Sequence, residues 1–263
     1  MKKICLALLA CSLGVVNAQD ICAPNQSRDD IKQAVKWYRN SAEQIALYHQ
    51  AFGVGYQYID NWVTENKPKP KTWGIVLDID ETTLDNSWYF KACNDLASNE
   101  SDFSHYVAIS EKSTALPGVK NLVEHVHQLG GYVTLVSNRD GSYEDSSGSV
   151  MKSTSNNLTA EGIYFDQILL ANDKGSTIPS DKNYRFNATI TGAYLESQMV
   201  WSNKLPPHTV IAFFGDNIQD FPKLKQKNLY GVDKNDTVYN KFGNGFFILP
   251  NPMYGSWEHN PAN

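Results

Sequence analysis

Long basic runs, late apolar segments and zinc-type histidine spacings are missing from this sequence, and each absence excludes a class of function. Without a long run of lysine and arginine, and with a formal net charge of −5, a nucleic-acid polymer is not the expected partner. No apolar stretch after residue 18 is long enough for a membrane span. The six histidines show no zinc-site spacing. What remains is a globular chain of 263 residues, 41% of them hydrophobic, which can bury a sizeable core.

The first 18 residues have the pattern of a secretory signal peptide. Two lysines precede a mostly apolar stretch over residues 4–16, and Ala18 ends a small-residue cleavage site. We therefore expect cleavage after Ala18 and a periplasmic or secreted protein. The alternative is an outer-membrane lipoprotein, because residues 8–11 resemble a lipoprotein signal with Cys11 as the lipidated residue. Mass spectrometry of the mature N-terminus distinguishes the two.

Few cysteines remain once the signal peptide is removed. Of the four in the chain, only Cys22 and Cys93 lie outside it. An even pair in an exported protein predicts a disulfide, which would tie the mature N-terminus to the region after the first strand. Two separate buried thiols are the alternative.

The chain divides at a proline-rich linker. Apolar residues recur at helical spacing over residues 28–65, with Gly53 and Gly55 as potential break points. Residues 67–71 read Lys-Pro-Lys-Pro-Lys, and consecutive X-Pro units cannot continue a helix. The predicted units are a signal peptide at 1–18, an N-terminal helical region at 19–70, and a core at 71–263 with a cap insertion around 86–115.

Short apolar runs alternate with helical patterns in the core. Strands are predicted at residues 74–77, 132–136, 165–170, 210–214 and 246–249, and helices at residues 119–129 and 154–161. Such alternation is typical of a parallel sheet. The predicted fold class is therefore α/β, with a Rossmann-like, largely parallel sheet, an added helical region and a cap.

Two aspartates follow the first predicted strand. Asp78 and Asp80 are spaced i, i+2, which places both carboxylates on one side of the strand, at the edge where open α/β sheets bind ligands. Two close carboxylates are costly to hold together unless a cation or a shared proton compensates. We therefore expect a divalent metal, with one carboxylate free to act as a nucleophile.

Three further polar residues complete a chemical set at the same edge. Ser137 follows the second strand, Asp216 follows the fourth, and Lys182 lies between them in a polar loop. Because the carboxyl ends of parallel strands share one edge, these groups can converge with the two aspartates. Carboxylates, a hydroxyl and an ammonium together suit phosphoryl transfer to an aspartate.

This chemistry assigns a role to each residue. Asp78 attacks phosphorus and forms an aspartyl-phosphate, while Asp80 protonates the leaving oxygen and then deprotonates the attacking water. Ser137 donates a hydrogen bond to a phosphoryl oxygen, and Lys182 neutralises charge on the phosphoryl group and on Asp78. Asp216 helps to hold Mg²⁺, which prefers oxygen ligands.

Neighbouring residues support these roles. Asp220, four residues after Asp216, either adds a metal ligand or orients Lys182. Glu81 and Thr82 are expected to shape the turn after Asp80, with Thr82 orienting that aspartate.

These motifs resemble those of the haloacid-dehalogenase-like phosphatases. Asp78-Ile79-Asp80-Glu81-Thr82 is similar to motif one, Ser137 to motif two, Lys182 to motif three, and Gly215-Asp216-Asn217-Ile218-Gln219-Asp220 to motif four. More closely, the chain resembles the class C nonspecific acid phosphatases of bacterial envelopes. The segments that carry this closer resemblance are Trp37-Tyr38-Arg39-Asn40-Ser41-Ala42-Glu43, Asp80-Glu81-Thr82 with Leu84-Asp85-Asn86, Val136-Ser137-Asn138-Arg139, Asp181-Lys182 with Arg185, Gly215-Asp216-Asn217, and Pro252-Met253-Tyr254-Gly255-Ser256-Trp257-Glu258.

The resemblance implies a haloacid-dehalogenase-like fold and an Mg²⁺-dependent phosphomonoesterase that is most active at acidic pH, often on nucleotides. One Mg²⁺ per site would be held by the Asp78 carboxylate, the backbone carbonyl of Asp80, and Asp216, with Asp220 as a further candidate. Asn138 would join the substrate-binding residues. Lys174 is the alternative to Lys182 as the lysine of motif three.

Two tyrosines are candidates for binding a nucleobase. Tyr89 lies just after the first motif and Tyr254 lies in the C-terminal segment. Either ring could stack on a base, and burial in the core is the alternative for each.

Two other functions stay open. A noncatalytic storage or binding protein on the same fold is one, although the presence of Asp78 favours an enzyme. Phosphotransfer to an alcohol is the other, because an aspartyl-phosphate can be discharged by water or by an alcohol. The expected partner is a small phosphomonoester, and a homodimer is a further expectation.

Overall fold

The computed structural model describes residues 33–92, 106–146 and 148–261. The predicted signal peptide, the lipidation site at Cys11, the start of the N-terminal helix, and the pair Cys22 and Cys93 lie outside these ranges and stay predictions. Within the described residues, no helix is both long enough and apolar enough to span a membrane.

The N-terminal helical pattern forms two helices instead of one. Helix α1 covers Gln33–Asn40 and α2 covers Ala42–Asn66, and Ser41 separates them. The Ser41 side chain accepts a hydrogen bond from the backbone N–H of Gln44 at 3.1 Å, which caps α2. Helix α2 ends at Asn66, where the predicted linker begins.

The predicted break at Gly53 and Gly55 does not occur, because α2 runs through both residues. Gly55 instead permits close packing against the sheet. A Cβ atom there would lie 2.5 Å from the ring of Phe214. Any larger residue would force the helix away from the sheet.

A six-stranded sheet forms the centre of the molecule. Its strands are β1 (Trp73–Leu77), β4 (Tyr132–Asp140), β7 (Gln167–Ala171), β8 (Met199–Trp201), β9 (Thr209–Gly215) and β10 (Phe246–Ile248). They lie side by side in the order β10-β9-β1-β4-β7-β8. Neighbouring strands pair in parallel except β8, which is antiparallel to β7 at the edge. The predicted α/β class and parallel sheet are confirmed, whereas β8 was not predicted. The third strand begins two residues later than expected, and β4 runs four residues further.

The other helices and the short strands connect and cover this sheet. The helices are α3 (Ser87–Ala92), α4 (Val119–Gln128), α5 (Val150–Ala160), α6 (Asn183–Thr191) and α7 (Gln226–Leu229), and β2 (Leu84–Asp85) pairs with β3 (Thr114–Ala115) while β5 (Glu144–Asp145) pairs with β6 (Gly148–Ser149). Short 3-10 helices cover Ile218–Asp220, Thr237–Lys241 and Ser256–His259.

Apolar layers cover both faces of the sheet. Along β1, Ile75 and Leu77 join the cluster that contains side chains of α2, α4 and α5. Val76 points the other way and joins a cluster with Phe186 of α6. Because both faces are buried, β1 is a continuous apolar run instead of an alternating one. Its first polar residue is therefore Asp78, at the end of the strand.

Asp166 lies at the opposite edge of the sheet, where it binds three other parts of the chain and should stabilise the fold. Its carboxylate accepts hydrogen bonds from Val133 N at 2.9 Å and from Lys71 Nζ at 2.9 Å, and it contacts His127 Nε2 at 2.8 Å. Burial would raise its pKa, but these partners lower it to about 2. Asp166→Asn should lower the free energy of unfolding by about 2 kcal/mol at neutral pH, measured by urea denaturation.

The stability difference between wild type and Asp166→Asn should depend on pH. A carboxylate with a depressed pKa contributes stability above its unfolded value, about 4, and that contribution is lost as pH falls through about 2. The difference between the two proteins should therefore shrink in acid. Asp60→Asn is the matched control, because Asp60 pairs with His125 at 2.6 Å but its side chain is 44% exposed, so we expect a loss below about 1 kcal/mol. Equal losses in both variants would contradict the prediction.

Candidate active site

A buried lysine between two aspartates forms the centre of the site. Asp78 directly follows β1, and its backbone N–H donates to Phe214 O at 2.9 Å. Lys182, at the start of α6, donates from Nζ to Asp78 Oδ1 and to Asp220 Oδ1, the latter at 2.6 Å. All three residues are at most 6% exposed. Burial lowers the pKa of Lys182, but the two carboxylates outweigh it and raise that pKa, so the ammonium stays charged.

Asp216 joins this group and creates an excess of negative charge. One carboxylate oxygen from each of Asp78, Asp216 and Asp220 lies within 4.8 Å of the others. Burial raises the pKa of Asp216 to about 8, and the charges of Asp220 and Glu81 act in the same direction. Burial also raises the pKa of Asp78 well above its ordinary value, against the effect of Lys182. Carboxyl groups held close together, whose negative charge is unfavourable without a compensating cation, suit a hard divalent ion such as Mg²⁺.

Asp220 has both of its carboxylate oxygens engaged. Besides Lys182 on Oδ1, Oδ2 accepts a hydrogen bond from Asn217 N at 2.8 Å. Gly215 permits this position, because a Cβ atom there would overlap the Cβ of Asp220. The contact with Lys182 fits one of the two roles expected for Asp220, the orientation of that lysine. Asp220 also belongs to the group of three carboxylates that could hold a metal ion.

Asp80 is held by the buried guanidinium of Arg139. Arg139 donates from Nη2 to Oδ1 at 2.7 Å and from Nε to both carboxylate oxygens, while Asn86 Nδ2 donates to Oδ1 at 2.7 Å and Ser137 Oγ to Oδ2 at 3.1 Å. Burial would raise the pKa of Asp80, but the charge of Arg139 and these hydrogen bonds lower it. The ionised carboxylate can accept a proton from water. A bound phosphate would raise its pKa by like-charge repulsion, as proton donation requires.

An irregularity in β4 allows Ser137 and Arg139 to reach Asp80. The pairing of β4 with β7 shifts register between Ser137 and Asp140, and Arg139 N donates to Ser137 Oγ at 3.0 Å. No role was predicted for Arg139, although its i, i+2 spacing from Ser137 places both residues on one face of a strand. That spacing is the signal that could have identified it.

Asn138 is held by a buried arginine. Arg185 donates from Nη2 to Asn138 Oδ1 and from Nη1 to Pro179 O at 3.0 Å. Burial lowers the pKa of Arg185 to about 10, so the group remains a cation at neutral pH. The Asn138 oxygen therefore faces Arg185, and its NH₂ group is turned away from the guanidinium.

The turn after Asp80 is organised differently from the expectation. Thr82 Oγ1 donates to Asp216 Oδ1 at 3.1 Å, so Thr82 orients Asp216 and the predicted role toward Asp80 is wrong. The side chain of Glu81 is buried and accepts hydrogen bonds from Asn86 N at 2.8 Å and from Tyr254 OH. Burial and the charge of Asp80 raise the pKa of Glu81 well above its ordinary value.

The two candidate tyrosines lie in one aromatic cluster beside this turn. Tyr89 is buried, with its ring against those of Trp88, Phe90 and Tyr106. Tyr254 stacks on Phe90 with ring centroids 4.9 Å apart, and its hydroxyl donates to Glu81. Tyr254 is thus tied directly to the turn that follows the paired aspartates.

The structure also separates the two candidate lysines of motif three. Lys174 is exposed and its Nζ donates to Ser142 O at 2.8 Å. Only Lys182 contacts Asp78.

Comparison with known proteins places this fold and site in a family. The family model of the HAD superfamily, subfamily IIIB (acid phosphatase), matches residues 7–257. The chain therefore belongs to the HAD superfamily. Within it, the chain is an acid phosphatase of subfamily IIIB, a hydrolase of phosphoric monoesters.

Solved structures agree with this assignment. The class C acid phosphatase from Bacillus anthracis is 26% identical, with a TM-score of 0.67 over 88% of this chain and 87% of that chain. A structure of the Bacillus anthracis class C acid phosphatase with tungstate bound matches with a TM-score of 0.65, the same identity and the same coverage. The resemblance to class C acid phosphatases is confirmed.

Proposed function

We propose that this acid phosphatase is an exported, Mg²⁺-dependent enzyme that hydrolyses small phosphomonoesters, including nucleoside monophosphates, through an aspartyl-phosphate on Asp78. The observation that carries the proposal is the placement of Lys182 between Asp78 and Asp220, with Asp216 beside them. The similar protein from Bacillus anthracis binds tungstate, a tetrahedral oxyanion like phosphate.

The first step transfers the phosphoryl group to the enzyme. A carboxylate oxygen of Asp78 attacks phosphorus, and the bond from phosphorus to the ester oxygen breaks as Asp80 donates a proton to that oxygen. Lys182 holds Asp78 in place and compensates negative charge as the phosphate approaches. Asp78, Asp216 and the backbone carbonyl of Asp80 would hold Mg²⁺, which would supply the further positive charge that lets an anionic substrate approach a carboxylate.

The second step releases phosphate. Asp80 takes a proton from water, the water oxygen attacks phosphorus, and the Asp78 carboxylate is regenerated. Its contact with Arg139 keeps Asp80 ionised and so suits this role as a base. Asn138 is a proposed donor to the phosphoryl oxygens, and Arg185 holds its amide. Ser137 would become the second donor when its hydroxyl turns from Asp80 to the bound phosphate. An alcohol in place of water would give phosphotransfer by the same route.

The aromatic cluster and the N-terminal sequence support the finer parts of the proposal. Tyr254 is the proposed contact of a nucleobase, because its hydroxyl binds Glu81 next to Asp80. Tyr89 is instead buried in the aromatic cluster, which is the alternative expected for it. The signal-peptide pattern of residues 1–18 supports export to the periplasm or the medium. The noncatalytic alternative is set aside, because the chain retains Asp78 and belongs to an acid phosphatase subfamily.

Removal of the metal tests the proposal. With excess Mg²⁺ we expect release of phosphate from p-nitrophenyl phosphate and from adenosine monophosphate. EDTA should lower both rates by roughly 100-fold or more, because charge neutralisation by the ion is worth several kcal/mol in the transition state. Added Mg²⁺ should restore them.

Undiminished activity in EDTA would contradict the metal dependence. Hydrolysis of p-nitrophenyl phosphate without hydrolysis of adenosine monophosphate would contradict only the nucleotide specificity.

A further inference from the structure

The segment formed by residues 249–259, here the C-terminal segment, follows β10 and contacts several parts of the active site. Leu249 N donates to Gly215 O at 2.9 Å, which places the beginning of the segment beside Asp216. Further along, Tyr254 contacts Glu81 and Ser256 contacts Asn217. One segment thus contacts the loops after both β1 and β9, which carry the predicted metal ligands.

Asn251 makes the most direct of these contacts. Its Nδ2 donates to Asp216 Oδ2 at 2.8 Å, while its Oδ1 accepts a hydrogen bond from Met253 N at 3.0 Å. Because the backbone N–H of Met253 needs an acceptor, the oxygen of the Asn251 side-chain amide must face Met253. The NH₂ group of the same amide must then face Asp216. The orientation of Asn251 is therefore determined by its own local turn.

Asp216 is held from both sides by these contacts. Thr82 Oγ1 donates to Oδ1 at 3.1 Å and Asn251 Nδ2 donates to Oδ2. Each carboxylate oxygen has more than one acceptor site, so one donor on each leaves capacity for a cation. Two donors from different parts of the chain fix the plane of the carboxylate.

Ser256 supports the same loop at a second point. Its Oγ donates to Asn217 Oδ1 at 2.7 Å. That Asn217 oxygen also accepts from Gln219 N at 3.0 Å, and Asn217 N donates to Asp220 Oδ2 at 2.8 Å. The C-terminal segment therefore contacts the turn that carries Asp220 as well as the carboxylate of Asp216.

We propose that Asn251 is a positioning residue for the divalent cation, and that the C-terminal segment completes the metal site by orienting Asp216. The inference rests on the metal dependence proposed above. Hydrogen-bond partners of ligating carboxylates fix the ligand geometry, and their loss typically lowers metal affinity 10- to 100-fold. A segment that merely anchors the end of the chain would not change the affinity for a metal.

The test compares Mg²⁺ binding in matched variants of the full chain. Asn251→Leu keeps the approximate shape of the side chain but removes the hydrogen-bond donor to Asp216. Asn244→Leu makes the same change at an exposed residue and serves as the control. After treatment with EDTA and desalting, isothermal titration with Mg²⁺ should give a Kd about 10- to 100-fold higher for Asn251→Leu than for wild type. Asn244→Leu should match wild type.

A second readout separates positioning from a general structural effect. Saturating Mg²⁺ should restore most of the kcat of Asn251→Leu, because Asp216 itself is still present. If Asn251→Leu fails to fold, Asn251→Ser replaces it in the test. The serine side chain is polar but too short to reach Asp216, so this variant should show the same weakened Mg²⁺ binding.

The outcomes are distinguishable. Wild-type Mg²⁺ affinity in a folded Asn251 variant overturns this inference and leaves the proposed function intact. A wild-type protein that binds no Mg²⁺ overturns the metal dependence, and the inference with it.

Discussion

Asparagine in place of Asp78 should abolish phosphatase activity and leave the fold intact. The neutral amide has the shape of the carboxylate but cannot form an aspartyl-phosphate, so we expect the rate with p-nitrophenyl phosphate to fall roughly 1,000-fold or more. Lys182 keeps its contact with Asp220 at 2.6 Å, so its charge stays paired. Burial raises the pKa of Asp78, which means that its negative charge is unfavourable in the fold. The variant should therefore unfold at the same temperature as wild type or higher.

The control for this variant is the same chemical change elsewhere. Asp166→Asn alters a carboxylate at the other edge of the sheet and should retain wild-type activity per folded molecule, despite its lower stability. Full activity in Asp78→Asn would refute the covalent mechanism, whatever the result with EDTA.

Methionine in place of Lys182 should remove activity and stability together. The substitution leaves Asp78 and Asp220 buried without the ammonium that now contacts both. Breaking a buried ion pair by removal of one partner typically costs about 3–5 kcal/mol. Loss of a positive group next to the reacting phosphate should lower kcat roughly 100- to 1,000-fold. Urea denaturation and phosphate release measure the two effects.

The pH dependence of this loss has a definite sign. Without the ammonium, burial and the charge of Asp220 would raise the pKa of Asp78 further. A raised carboxyl pKa costs stability as pH rises through it, so the destabilisation should be largest at neutral pH and shrink in acid. Lys174→Met is the matched control, since Lys174 is exposed and its ammonium donates to the backbone carbonyl of Ser142. Comparable losses in Lys174→Met would contradict the assignment of Lys182.

The strands and the residues that follow them could be predicted from the sequence for a physical reason. A strand buried on both faces must be apolar along its whole length, and Trp73–Leu77 is such a run. The first charged residue after it, Asp78, therefore marks the edge of the sheet. The same reasoning identified Asp216 after Thr209–Gly215, and parallel pairing predicted that these ends would meet.

The exact boundaries of the strands and helices, and the contacts that orient the site residues, were harder to predict from the sequence. The extension of β4 to Asp140 depends on pairing with β7, which a local apolar pattern does not encode. Gly53 and Gly55 resemble helix breaks in isolation, but packing of Gly55 against Phe214 stabilises the continuous helix. Thr82 was predicted to orient its near neighbour Asp80, whereas the fold brings Asp216, 134 residues further along the chain, within hydrogen-bond distance of the Thr82 hydroxyl.

The α/β class, the family, and the candidate aspartates and lysine could be predicted from the sequence. These depend on local patterns and on short motifs whose spacing within one strand or turn is set by backbone geometry. The pairing of the charges, in contrast, follows from the tertiary fold. Arg139 holds Asp80, Lys182 separates Asp78 from Asp220, and the C-terminal segment reaches Asp216 through Asn251. Such contacts join residues far apart in the chain, and their strength depends on a burial that exists only after the sheet has formed.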